Sequence, residues 1–300
     1  MRCFKLVVSG VMVFFLLTVN GNSNALAQGP SAAEYGVVLN LAGKQRMLSQ
    51  KMSKEVLLVN LNYEKEKNLE NLKATAALFD KTLKGLRNGD ASLGLPPTVS
   101  RRILRQIDKK VQPIWDAFHA STMAVLADRS VNGVQLQAVA QKNLPLLSEM
   151  NKCVKLYEKD AAKAGLKANP GLAVAINLAG KQRMLTQKMS KEFFLIASDY
   201  EVESNRLNLQ ETYRLFERTL NGLLDGDATL GLSGTSDEVI RAQLMKVQGM
   251  WDKFKPSVAV AVKETGAIPK DKLAMVADGN LPLLKEMNNA VKMYEALAAK

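Results

Sequence analysis

Four basic side chains and one acid fall close together at Lys44, Arg46, Lys51, Lys54 and Glu55. The same set recurs at Lys181, Arg183, Lys188, Lys191 and Glu192. Residues 40–55 and 177–192 agree at 15 of 16 positions, Ser49 being replaced by Thr186, and the two stretches stand 137 residues apart. On a helix, Asn40, Gly43, Met47 and Gln50 form a small, polar stripe flanked by Arg46. A second stripe, Val38, Leu41, Leu48, Met52, Val56 and Val59, faces a bundle and is interrupted at Gln45. A glycine in mid-helix costs about 1 kcal/mol relative to alanine. Close helix approach, or a ligand touching the backbone, gives Gly43 and Gly180 a reason. If the two copies face each other, Arg46 and Arg183 approach across a pseudo-two-fold axis. Two guanidinium charges ~6 Å apart repel by about 3 kcal/mol at an effective dielectric of ~20. An anion between them turns that repulsion into two charge-assisted pairs, and a planar oxyanion suits the planar fork. The candidate ligand-binding set is Asn40, Gly43, Lys44, Arg46 and Gln50 with Asn177, Gly180, Lys181, Arg183 and Gln187. The other reading is a solvated basic face. Such a face tolerates exchange among Arg, Lys, Glu and Gln, yet this stretch is kept between copies that have drifted elsewhere.

Other chemistries find less support. Glu55 and Glu192 are single carboxylates beside lysines, which surface ion pairs explain. No nucleophile–base pair or glycine-rich loop is present, so no catalytic residue and no enzyme is expected. One histidine, His119, without a Cys or carboxylate cluster, argues against a metal, and no cofactor motif occurs. Cys153 has Ala290 at the matched position and reads as a small buried residue. Trp115 and Trp251, also matched, read as core packing.

The elements that position the arginines follow from the repeat. Residues 78–95 match 215–232 and residues 143–158 match 280–295, both 137 apart, whereas 111–118 match 247–254 at 136. Each copy predicts four helices. The first covers about 33–62. The second carries Leu69, Leu72, Ala76, Phe79, Leu83 and Leu86 on one stripe and stops at Asn88-Gly89-Asp90, with Gly89 as C-cap. Pro96-Pro97 permits a fresh start. The third carries Ile103, Ile107, Val111, Ile114, Phe118 and Val125 and breaks at Asn132-Gly133; the fourth carries Leu136, Val139, Leu144, Leu147, Met150, Val154 and Tyr157, with Pro145 inside it. Strand signals are absent. The expected fold is all-α: two up-down-up-down four-helix bundles in tandem, residues 33–165 and 170–300, packed as a pseudo-two-fold dimer. With four helices a chain leaves a bundle where it entered, so the two first helices run in the same direction.

Residues 1–27 read as a secretory signal peptide: Arg2 and Lys5, an apolar run from Leu6 to Val19, and Ala25-Leu26-Ala27 before the cut. Its removal lowers the formal net charge from +12 to +10, of which the two basic stretches supply +6. A soluble periplasmic protein with no stable membrane insertion is expected. Export removes nucleic acid as a partner, and the concentrated charge points to a small anion.

The run Asn40-Leu41-Ala42-Gly43-Lys44-Gln45-Arg46-Met47-Leu48-Ser49-Gln50-Lys51-Met52 resembles the opening helix of the PilJ-type domain, the N-terminal sensor domain of type IV pilus methyl-accepting transducers. It is also similar to the nitrate-binding box of NarX/NarQ-type sensor kinases, with Gly-x-x-Arg-Met followed by a Ser. The resemblance implies a periplasmic four-helix bundle that dimerises through its first helix. It also implies one ligand, nitrate or nitrite, between an arginine from each half, on Gly43, Arg46, Gly180 and Arg183. The chain departs from those families in lacking a following transmembrane segment, kinase or methyl-accepting region, so an envelope partner would have to read the bound state. Lys44 and Lys181 are further departures that bear on ligand choice. A ligand-free protein-interaction module of envelope or pilus-linked signalling is the alternative function.

Overall fold

The structure is a computed structural model that describes residues 29–164, 170–263 and 266–298. The expected leader, residues 1–27, lies outside them. In chain order the helices are α1 (Ala32–Asn60), α2 (Lys65–Asn88), α3 (Arg101–Gln106), a π-helical segment (Ile107–Val111), α4 (Gln112–Asp128), α5 (Gly133–Lys163), α6 (Pro170–Ala197), α7 (Val202–Asp225), α8 (Glu238–Lys263) and α9 (Lys270–Ala298). No strand occurs among the described residues, and the fold is an all-α tandem of helical bundles. In the first bundle α1 packs on α2 and α5, and α4 packs on α5. In the second, α6 packs on α7 and α9, and α8 packs on α9.

The bundles meet through α1 and α6. Arg46 bonds Asn177, Arg183 bonds Asn40, and Asn60 bonds Ser198. The two arginine–asparagine bonds are reciprocal, and Asn60 meets a near-equivalent position of α6, which requires parallel helices in register. From Gln45 to Val59 every side chain of α1 except Lys51 is buried, and from Gln182 to Ile196 every one of α6 except Lys188. These are central helices, enclosed on all sides, so the solvated-face reading fails. The surface ion pairs expected at Glu55 and Glu192 are also corrected. Both carboxylates are buried, at 1% and 0% exposure, beside Lys51 and Lys188.

The periodic stripes placed the helices but missed details. Gly89 caps α2 with φ 84°. Pro96-Pro97 does not open a helix; it lies in the extended segment before Ser100, and α3 begins at Arg101. Asn132 starts a helix rather than ending one. Its side chain accepts from Gln135 N while Gln135 returns a bond to its backbone, and α4 has already ended at Asp128. In α5, Leu144 is 40% exposed and Leu146 is buried instead. The buried face there passes through Asn143, an amide that an apolar stripe does not reveal.

The one-residue slip in the repeat has a structural counterpart. Ile103 and Ile107 match Ile240 and Leu244 at 137, whereas Val111 matches Val247 at 136. The extra residue of the first copy falls within Ile107–Val111, where the backbone widens to a π turn, while α8 runs as α-helix through the matched region. A π-bulge absorbs one inserted residue without turning the following side chains off their face. Trp115 therefore stacks on Phe79, with ring centroids 4.2 Å apart, as Trp251 meets Phe216 at 4.6 Å.

Candidate functional site

The repeated helix places its arginine at the centre of the bundle–bundle seam. Arg46 is 4% exposed and Arg183 2%. Each guanidinium holds two amides. Arg46 Nη1 donates to Asn151 Oδ1 at 2.9 Å and Nη2 to Asn177 Oδ1 at 3.2 Å. Arg183 Nη1 donates to Asn288 Oδ1 at 2.8 Å and Nη2 to Asn40 Oδ1 at 2.9 Å. In both, Nε is buried and has no hydrogen-bond partner. Among the described residues neither guanidinium makes an ion pair within 4.0 Å; its hydrogen-bond partners are neutral amides, with the Glu158 carboxylate acting on Arg46 and that of Glu295 on Arg183 from further off. Burial pulls the pKa of each down to about 10, which leaves both charged at neutral pH.

Gly43 and Gly180 serve the arginine of their own helix. A Cβ on Gly43 would lie 3.3 Å from Arg46 Nη2, and one on Gly180 would lie 3.5 Å from Arg183 Nη2. Their bare Cα lets the side chain three residues on fold back over the helix and reach across the seam.

A cavity of about 380 Å³ opens beside both arginines. Asn40, Gly43, Arg46, Asn177, Gly180 and Arg183 line it, together with Glu158 and apolar side chains such as Val154, Val174 and Val291. A water occupies ~30 Å³ of liquid, so the volume has room for a group the size of a small oxyanion. Lys44 is half-buried near Arg183 and Lys292, and Lys181 near Arg46 and Lys155; burial lowers the pKa of both, helped by those neighbours.

Gln50 and Gln187 do not line this cavity. They are buried one turn further along, where Gln187 Nε2 donates to Asn280 Oδ1 at 2.8 Å and Gln50 Nε2 to Ser49 Oγ at 3.2 Å. They belong to a second polar layer around Lys54 and Lys191, both fully enclosed. Lys54 Nζ donates to Asn280 Oδ1 at 2.9 Å and Lys191 Nζ to Asn143 Oδ1 at 3.3 Å, each across the seam. Burial depresses both lysines to about 8.

Asn151, Asn288, Glu158 and Glu295 were not anticipated from sequence. Both pairs fall in the matched fourth-helix blocks, so their recurrence was the available signal. Among the described residues no three His, Cys, Asp or Glu side chains gather as a metal site.

Residues 30–141 and 166–275 match the PilJ family, described as the type IV pili methyl-accepting chemotaxis transducer N-terminal domain. The chain belongs to the PilJ family. Both matches begin just before the arginine-bearing helix, so each PilJ copy brings one half of the seam. As described, PilJ is a transducer domain rather than an enzyme family. The methyl-accepting chemotaxis protein McpN of Pseudomonas aeruginosa (strain PAO1) is 33% identical over 128 residues, covering 41% of this chain and 22% of McpN. The similarity thus reaches less than a quarter of that relative's length. No helix among the described residues is long and apolar enough to cross a membrane.

Proposed function

We propose that this tandem PilJ protein is a periplasmic sensor module that holds one small oxyanion, nitrate or nitrite first, between α1 and α6. An envelope signalling partner reads the bound state. One observation carries the reading: two buried guanidinium groups stand at one seam with amide partners, unpartnered Nε atoms and no ion pair. Burying a charge without a directly bonded counter-ion costs several kcal/mol. An anion accepting from both forks offsets that cost at both arginines at once. The similarity of the Gly-x-x-Arg-Met runs to nitrate-sensor boxes supports the choice of anion, and the matching leader pattern supports the location. A chemotaxis-type role rests on the family and on McpN.

Thermal melting at fixed ionic strength against nitrate, nitrite, chloride, sulfate and phosphate tests this. A ligand at 100 times its dissociation constant adds about 2.7 kcal/mol, and each kcal/mol moves a chain of this size by roughly 2–4 °C. A rise of several degrees with one oxyanion, lost in Arg46→Ala and in Arg183→Ala, supports the site. Equal small rises with every salt would reduce it to charge screening and overturn the reading.

A further inference from the structure

A carboxylate that the oxyanion reading does not use lines the arginine cavity, and a second stands at the matched place beside Arg183. Glu158 on α5 lines the same cavity as Arg46 and Arg183. Its Oε1 is buried and has no hydrogen-bond partner, and Glu295 on α9 repeats this at the matched place. Arg46 Nε and Arg183 Nε are equally buried and equally unpartnered. Each carboxylate therefore stands near a guanidinium, close enough to feel its charge yet without an ion pair within 4.0 Å. Donor and acceptor are not bonded to each other, and the cavity borders Arg46, Arg183 and Glu158.

The charges around each carboxylate come from three helices. Glu158 faces Arg46 of α1, with Lys155 on its own helix and Lys181 of α6 beside that arginine. Glu295 faces Arg183 of α6, with Lys292 on its own helix and Lys44 of α1 beside that arginine. Burial raises both carboxyl pKa values from the ordinary value, against the pull of the arginine and lysine.

We propose that Glu158, with Glu295 as its counterpart, is a specificity-determining residue that couples the oxyanion site to protons. The inference rests on the oxyanion reading. As a carboxylate, Glu158 repels the anion and competes with it for the guanidinium. As a carboxylic acid it ceases to repel and turns an acceptor into an O–H donor directed at the anion. Binding then takes up a proton from solution onto the carboxyl oxygen as the anion enters, and the charge of the site is unchanged. Anions that accept hydrogen bonds are favoured, and affinity rises as pH falls.

The test is nitrate titration of the whole mature chain by calorimetry at about pH 8 and about pH 5.5. One coupled proton changes the dissociation constant by up to tenfold per pH unit between the free and bound carboxyl pKa values. Wild type is expected to bind about tenfold or more tightly at the lower pH, and to take up protons when compared in two buffers of different ionisation enthalpy. The proton uptake needs no variant, so it stands even if a substitution unfolds the chain. Glu158→Gln/Glu295→Gln, a neutral near-isostere, is expected to bind as tightly at the higher pH as wild type does at the lower, with a flat profile. A slope that persists in the double variant assigns the protons to the neighbouring lysines, Lys44 and Lys181 or Lys54 and Lys191, and overturns the inference. Binding with neither slope nor proton uptake also overturns it, while leaving the anion site intact. No nitrate binding at either pH removes both readings.

Discussion

Lys54 Nζ donates to Asn280 Oδ1 at 2.9 Å across the boundary between the two repeats, in a layer fully shielded from solvent. Asn280 also accepts from Gln187 and donates to Thr186 O at 2.9 Å and to Ser190 Oγ at 2.6 Å. One amide thus ties α9 to α6 and to α1 of the other bundle. Lys191 and Asn143 repeat the device in mirror order.

This layer sets an alkaline signature. Folding lowers the lysine pKa to about 8 from 10.5. Between those values the unfolded chain binds more protons than the folded one, so stability rises with pH there. Below about pH 8 the full cost of burying the ammonium is present. Each pKa unit is worth about 1.4 kcal/mol. Lys54→Met/Lys191→Met should remove the rise, and the melting temperatures of wild type and variant should converge as pH goes from about 7 to about 10. Parallel curves would show that the lysines keep their ordinary pKa.

Asn280→Ala should be strongly destabilising. It strands the Lys54 ammonium and the Gln187 amide in an enclosed layer, whereas Ser190 Oγ keeps its bond to the Thr186 carbonyl, and each unsatisfied buried group costs about 1–3 kcal/mol. Chemical denaturation should show a fall of several kcal/mol. Because the amide bridges the bundles, a transition that is single in the parent should separate towards two steps.

Gly43→Ala separates stability from the arginine geometry. Alanine favours the helix by about 1 kcal/mol, yet its Cβ would press on Arg46 Nη2 at 3.3 Å. The melting temperature without anion should hold or rise, and the shift produced by nitrate should shrink. Gly180→Ala, with 3.5 Å to Arg183, should shrink it less. Equal loss of basal stability in both would instead make the glycines packing residues.

Removing Lys109 from the π-helical segment should be tolerated. Lys109 and Lys110 are exposed, and the shortened helix would match α8. The exposed side chain that is lost contributes no more than about 0.5 kcal/mol, so the melting temperature should change little. Removing Lys246 from α8 takes a residue that has no spare. It turns Val247 and Trp251 by about 100° about the helix axis, and the second bundle should lose its cooperative melt by circular dichroism.

The repeat, the helix directions and the facing arginines were all legible in the sequence, because duplication and a 3-4 apolar period are local patterns. The buried polar layer was not. Lys54, Glu55, Gln50 and Asn143 look like surface residues until the bundles enclose them, and Lys54 and Asn143 are held by partners on other helices, Asn280 and Ser53, that lie 226 and 90 residues away. Leu144 and Leu146 were exchanged for the same reason: Asn143 takes a core position, so the apolar period slips beside it. Asn151 and Glu158 carry no motif, and only the arginine's reach gives them meaning.

The connection between α5, ending at Lys163, and α6, starting at Pro170, is short. Its consequence is one of dilution. Two separate bundles sharing a seam come apart as their concentration falls. A short tether holds the second half at an effective concentration on the order of millimolar. The arginine pair is thus complete in a single molecule at any copy number, always one to one. Its two halves can also drift independently, as the π turn in one of them already records.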